Sequence, residues 1–148
     1  MKSTLYIAAD HRGFAMKKYI LSFLAKEKII CHDLGAYEYD KNDDYPDMAQ
    51  TLAKKVATSP NNKGILLCGS GQGVCIAANK VKEVRAALSW NIKSARNAKI
   101  DGNANVLCLS ADWLSKQEIR KIVHVWLSTP FLKEARHLRR LKKISQIK

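Results

Sequence analysis

Cys68 is followed at once by Gly69-Ser70-Gly71-Gln72-Gly73, and then by the apolar run Val74-Cys75-Ile76-Ala77-Ala78 at helical spacing. Free N–H groups in a glycine-rich turn at a helix amino terminus, reinforced by the helix dipole, attract an anion. The alternative reading is a plain tight turn. It is not a Walker loop, because no Gly-Lys-Ser/Thr follows, and it lacks the GxGxxG spacing of dinucleotide sites. Positive potential beside such a turn favours thiolate over thiol, so Cys68 is a candidate nucleophile or general base. Its competing reading is a buried cysteine that closes a strand. Asp10-His11 follows another apolar run, and Asp101-Gly102-Asn103 precedes a third. Of the four histidines, His32 and His124 sit where packed or solvated roles are the default, which leaves His11 and His137 as candidates. Cys31, Cys75 and Cys108 form no CxxC pair with each other or with Cys68, so neither a zinc site nor a disulfide framework is expected.

These residues need elements to hold them. Thr4-Leu5-Tyr6-Ile7-Ala8-Ala9 predicts a strand, and Phe14, Met16, Ile20, Leu21, Phe23 and Leu24 predict the helix after it. The pattern repeats with Ile29-Ile30-Cys31 as a strand, a polar loop over 35–45 and a helix from about Pro46, a residue favoured in a first turn. Further strands are predicted over 64–68, 85–88 and 105–109, and further helices over 74–79, 92–99 and 115–127, the last with Ile119, Ile122, Val123 and Trp126 inward. Thr129-Pro130 should break that helix before a last basic helix over 131–148. Apolar strands without polar alternation are buried on both faces, which predicts an α/β fold: a Rossmann-like three-layer sandwich with a five-stranded parallel sheet. Ligands in open α/β sheets bind at the carboxyl ends of the strands, so the candidate loops are 10–11, 35–45, 68–73 and 101–103.

Composition limits the alternatives. The chain has 148 residues, 47% hydrophobic and 26% charged, which suits one globular domain over 1–148 and excludes disordered or low-complexity material. No window nears the roughly 20 apolar residues of a membrane span, and Asp10 interrupts the first apolar run, so no membrane partner and a cytoplasmic location are expected. The net charge is +13, of which residues 133–148 carry +6, with seven Lys or Arg against one Glu. A basic tail can attract a nucleic-acid backbone or hold one small phosphorylated ligand. No helix-turn-helix, zinc-finger or RNA-recognition signature accompanies it, so no nucleic-acid partner is expected.

Six separated segments carry a resemblance. Ala9-Asp10-His11-Arg12-Gly13-Phe14, Asp44-Tyr45-Pro46, the stretch over 64–73, Ile76-Ala77-Ala78-Asn79-Lys80, Asn103-Ala104-Asn105-Val106-Leu107 and Arg136-His137-Leu138-Arg139-Arg140 are together similar to the ribose-5-phosphate isomerase B family, which also includes galactose-6-phosphate isomerase subunits. The match is collinear over nearly the whole chain. It implies aldose–ketose isomerisation of a phosphorylated sugar through an enediolate, with no metal and no cofactor. By the same resemblance Cys68 is the base, the amides of Gly69, Gly71 and Gly73 receive the oxyanion, and Ser70 helps move protons between substrate oxygens. Asp10 and Tyr45 hold sugar hydroxyls. His11 holds the phosphate together with Arg136 and Arg140, which reach across from a second subunit and so require a homodimer or tetramer.

The chain also departs from the family. Members that open a furanose ring place His-Asn where this chain has Asp101-Gly102, and an arginine that approaches the phosphate is replaced by Asp112. Asp101 is therefore either a substitute ring-opening base or a loop or helix-capping aspartate, and at 112 a positive contact becomes a negative one. Ribose 5-phosphate is the expected substrate. The alternatives are allose or galactose 6-phosphate, and a paralogue that binds a sugar phosphate without turning it over.

Overall fold

The computed structural model describes residues 3–147 and is an α/β sandwich. In chain order its elements are β1 (Leu5–Ala9), α1 (Phe14–Lys26), β2 (Cys31–Asp33), α2 (Tyr45–Ala57), β3 (Lys63–Cys68), α3 (Gln72–Ala78), β4 (Ala86–Leu88), α4 (Ile92–Ile100), β5 (Val106–Ser110), α5 (Lys116–Ser128) and α6 (Ala135–Ser145). The strands form one parallel sheet in the order β2-β1-β3-β5-β4. Side-chain alternation along β3 feeds two cores. Ile65 and Leu67 pack with Ile20 and Leu24 of α1 and with Ile119, Ile122, Val123 and Trp126 of α5. Leu66 and Cys68 pack on the other face with Leu52 and Val56 of α2 and Val74 of α3. Each fully buried Leu, Ile or Val of this kind contributes about 1.5–3 kcal/mol from apolar burial. Among the described residues no helix is long and apolar enough to cross a membrane.

The expected three layers, five parallel strands and inward face of α5 are all present. Ser115 is the N-cap of α5: Glu118 N–H donates to its hydroxyl at 3.2 Å, and Ser115 N–H donates to the Glu118 carboxylate at 2.8 Å. Three expectations need correction. The second strand runs from Cys31 to Asp33 rather than 29–31, and Ile30 is exposed. Register with β1 decides this, Leu5 pairing with Cys31 and Ile7 with Asp33, while the buried Lys17 ammonium donates to the Asp33 carboxylate at 2.7 and 2.9 Å. The last helix begins at Ala135 rather than 131, because Thr129 is extended before Pro130 and the first helical carbonyl is that of Glu134, which accepts from Leu138 N–H at 3.1 Å. Lys148, the last residue of the expected helix, lies outside the described residues. The third correction is the 101–103 loop, which lies at the amino end of β5 and not among the carboxyl ends of the strands.

Candidate active site

Strand order reverses direction between β1 and β3, with β2 on one side of β1 and the remaining strands on the other. The crevice at the carboxyl ends of that pair is where an open α/β sheet binds ligands. Asp10 N–H donates to Leu67 O at 3.3 Å and Ala111 N–H to Cys68 O at 3.0 Å, so the ends of β1, β3 and β5 lie side by side. Cys68 is buried at 4% exposure, and its Sγ accepts from Gly71 N–H at 3.1 Å. Gly71 has φ +77°, and a Cβ there would meet Leu109 C at 2.8 Å, so the turn needs glycine. Gln72 N–H donates to Ser70 Oγ at 3.2 Å. The turn is walled on both sides. A Cβ at Gly69 would lie 2.5 Å from Arg12 Cζ, and one at Gly73 would lie 2.6 Å from the ring of Tyr45.

Asp10 and His11 complete this end. Asp10 Oδ1 accepts from Arg12 N–H at 3.0 Å and Gly13 N–H at 3.1 Å. Burial raises the Asp10 carboxyl above its ordinary value, partly offset by the Gly13 N–H and the neighbouring His11. His11 Nδ1 lies 2.6 Å from Asp43 Oδ1, which also accepts from His11 N–H at 3.0 Å. The hydrogen bond to Asp43 raises the His11 pKa, although desolvation works against it. Asp10, His11 and Asp43 hold one ligand atom each within 4.8 Å of one another, the donor set a cation would need. His11 Nδ1 and Asp43 are already engaged with each other, so the group reads as a hydrogen-bonded acid–imidazole pair.

The other predicted residues form a second group. Asp101 is the C-cap of α4, its side chain 59% exposed, and His137 of α6 places Nε2 3.8 Å from Asp101 Oδ1 and 3.6 Å from Glu134 Oε2. His137 is 2% exposed and anchors α6. Arg136 and Arg140 are exposed, and Arg136 Nε donates to Glu134 Oε2 at 2.8 Å. The five residues of β5 separate Asp101 from the Cys68 end of the sheet, roughly 15 Å at the usual rise of a strand. Among the described residues no hydrogen bond or ion pair joins α6 to the loops around Cys68. Within one chain, then, Cys68, Ser70, Gly69, Gly71, Gly73, Asp10, His11 and Tyr45 come together, whereas Asp101, Arg136 and Arg140 do not join them.

Sequence reasoning missed several residues that share this crevice. Asp43 sits one residue before the Asp44-Tyr45-Pro46 triplet, and only its pairing with His11 reveals it. Arg12 forms an ion pair with Asp112, whose N–H donates to Gly69 O at 3.1 Å. A cavity of about 230 Å³ beside Ser70 is lined by Leu88, Ser89, Trp90, Ser110, Trp113 and Leu114. A wider groove of about 510 Å³ lies between α1 and β2, where Lys28 is the only ionisable side chain besides Cys31, whose thiol burial pushes up to about 12.

Known proteins share this fold. A family model described as Ribose/Galactose Isomerase matches residues 5–144. The probable ribose-5-phosphate isomerase B of Mycoplasma pneumoniae is 44% identical over 144 residues, covering 97% of this chain and 94% of that protein. Among solved structures, ribose-5-phosphate isomerase B from Mycoplasma genitalium with bound ribulose-5-phosphate superposes with a TM-score of 0.94 at 46% identity, covering 99% of this chain and 96% of that one. The Clostridium thermocellum ribose-5-phosphate isomerase B gives 0.92 at 34% identity, with 98% and 96% covered.

Proposed function

The chain belongs to the ribose/galactose isomerase family, and we propose that it interconverts ribose 5-phosphate and ribulose 5-phosphate with Cys68 as the base. The observation that carries this reading is the Cys68 sulfur at the end of β3, accepting from Gly71 N–H at 3.1 Å inside a turn of three glycines. On the open-chain aldose, the Cys68 thiolate removes the proton from C2, and the electron pair moves to the carbonyl oxygen to give the enediolate. The remaining amides of the turn stabilise that oxyanion where it forms. Ser70 moves a proton between O1 and O2, and the Cys68 thiol returns its proton to C1, which yields the ketose and regenerates the thiolate. Asp10 and Tyr45 hold sugar hydroxyls, and His11 meets the phosphate.

The active unit in this reading is at least a homodimer. Asp101 stands roughly a strand length from Cys68 in its own chain, while α6, set beside Asp101 through His137, buries little else and leaves its arginines exposed. A second copy brings the two halves together: its guanidiniums bind the phosphate dianion, and its Asp101 takes the anomeric hydroxyl proton as the C1–O4 bond breaks and O4 takes a proton from water. The test is complementation. Cys68→Ala chains and Arg136→Ala/Arg140→Ala chains are each inactive alone, and mixing them restores turnover of ribose 5-phosphate through hybrid sites that hold an intact base and intact arginines. No recovery after confirmed subunit exchange refutes the shared site. Solvent deuterium entering at C2 of ribose 5-phosphate, with allose and galactose 6-phosphates run alongside, reports the chemistry and the preferred sugar together.

A further inference from the structure

We propose that Arg12 is the guanidinium through which the subunit carrying Cys68 binds the phosphate of the substrate, with Asp112 as the residue that positions it. The inference deepens the sugar-phosphate reading above and rests on it.

Arg12 directly follows His11, and its backbone N–H is tied to Asp10 Oδ1 at 3.0 Å, so its origin is fixed at the carboxyl end of β1. From there the side chain crosses to the glycine turn. A Cβ at Gly69 would lie 2.5 Å from Cζ, 2.6 Å from Nε and 2.8 Å from Nη1, which means that the guanidinium lies flat on the Gly69 backbone, where any other residue would displace it. Asp112 reaches the same point from β5. Its N–H donates to Gly69 O at 3.1 Å, and its Oδ2 pairs with Arg12 Nη2. The group is thus held on two sides, yet the Arg12 side chain is 58% exposed, so N–H donors remain free to face the crevice.

Stability alone does not account for this arrangement. An exposed ion pair is worth about 0–1 kcal/mol, too little to be the reason for a guanidinium held between Gly69 and Asp112. A fixed, half-open planar donor beside His11 instead suits bidentate recognition of a phosphate. His11 and Arg12 are consecutive and near enough for the charge of Arg12 to oppose protonation of His11. A dianion lying against both relieves that repulsion. The sequence reading takes Asp112 as a positive contact turned negative. The structure gives that carboxylate a cation of its own, so the pair is neutral as a whole while a guanidinium donor still stands at the crevice, delivered from position 12.

The test uses the full-length protein with Arg12→Ala, Arg12→Lys, Asp112→Asn and the exchange Arg12→Ala/Asp112→Arg. It reads KM and kcat for ribose 5-phosphate, and the Kd of inorganic phosphate from thermal protection. Loss of a charge-assisted contact predicts a rise in KM and in the phosphate Kd of roughly 10- to 100-fold for Arg12→Ala, with a smaller change in kcat. Arg12→Lys keeps part of the affinity, Asp112→Asn loses several-fold, and the exchange regains most of what Arg12→Ala loses. Unchanged KM and phosphate Kd in folded Arg12→Ala protein overturn the proposal, and unchanged values in Asp112→Asn overturn the role of Asp112. If the wild-type protein binds phosphate through Arg12 without isomerising ribose 5-phosphate, the anion site stands and the substrate assignment falls.

Discussion

Cys68→Ala is the sharpest test of the chemistry, because its cost to folding and its cost to catalysis differ by enough to be separated. Cys68 is 4% exposed, and its sulfur is an acceptor for Gly71 N–H. The substitution removes one buried atom, worth about 1 kcal/mol as a methyl-sized cavity, and leaves an N–H without its weak sulfur partner, worth about 1 kcal/mol more. From a domain stability of about 5–15 kcal/mol, a loss of about 2 leaves at least about 3 kcal/mol, hence more than about 99% folded protein. The melting temperature should fall by about 4–8 °C at this chain length. Loss of a positioned base lowers turnover by roughly 10²–10⁴-fold, far beyond what unfolding of about 1% of the molecules explains. The assay is kcat on saturating ribose 5-phosphate beside a thermal melt and a phosphate-binding titration on the same sample. A folded Cys68→Ala protein that keeps kcat within tenfold of wild type would refute the reasoning, and with it the assignment of Cys68 as base.

Three further outcomes are expected. The hydrogen bond to Asp43 holds the His11 pKa above 6.5, so the imidazolium is stabilised by folding; that contribution is complete below about pH 6.5 and is lost as pH rises through the higher folded value. Asp43→Asn should therefore shift the loss of ribose 5-phosphate affinity toward lower pH, read from KM against pH, and an unmoved profile would show that the pair does not set the charge of His11. A hydrogen bond with Cys108 brings the half-exposed Cys75 thiol down to about 7, whereas burial pushes Cys31 up to about 12. At pH 7.5 iodoacetamide should label Cys75 well before Cys31, as mapped by peptide mass, and equal labelling would contradict this. Gly71→Ala forces φ +77° on an L side chain, about 1–2 kcal/mol, and drives its Cβ to 2.8 Å from Leu109 C, about 1–3 kcal/mol of overpacking. Urea unfolding should show the sum, and a loss below about 1 kcal/mol would mean that the turn relaxes freely.

Local signals in the chain were enough for the architecture and for half of the candidate site. Runs such as Gly64-Ile65-Leu66-Leu67-Cys68 carry no polar alternation, so they demand cover on both faces, and that requirement alone implies a parallel sheet between two helical layers. The residues at the carboxyl ends of β1 and β3 were equally readable, because each follows its strand directly: Asp10 and His11 after Ala9, and the glycine turn after Cys68. What local sequence does not encode is which distant residues meet. The β2 register was set by pairing with β1, which overrode the apolar pull of Ile29 and Ile30. Asp101 looks from its place before a strand like a neighbour of Cys68, but parallel strands run the same way, so a residue before β5 and one after β3 stand at opposite ends of the sheet. Asp43 with His11, 32 residues apart, and Arg12 with Asp112, 100 apart, leave no mark in spacing or periodicity. Such pairings are created when chain folding brings separate strand ends into one crevice, and the electrostatics of the site exist only there.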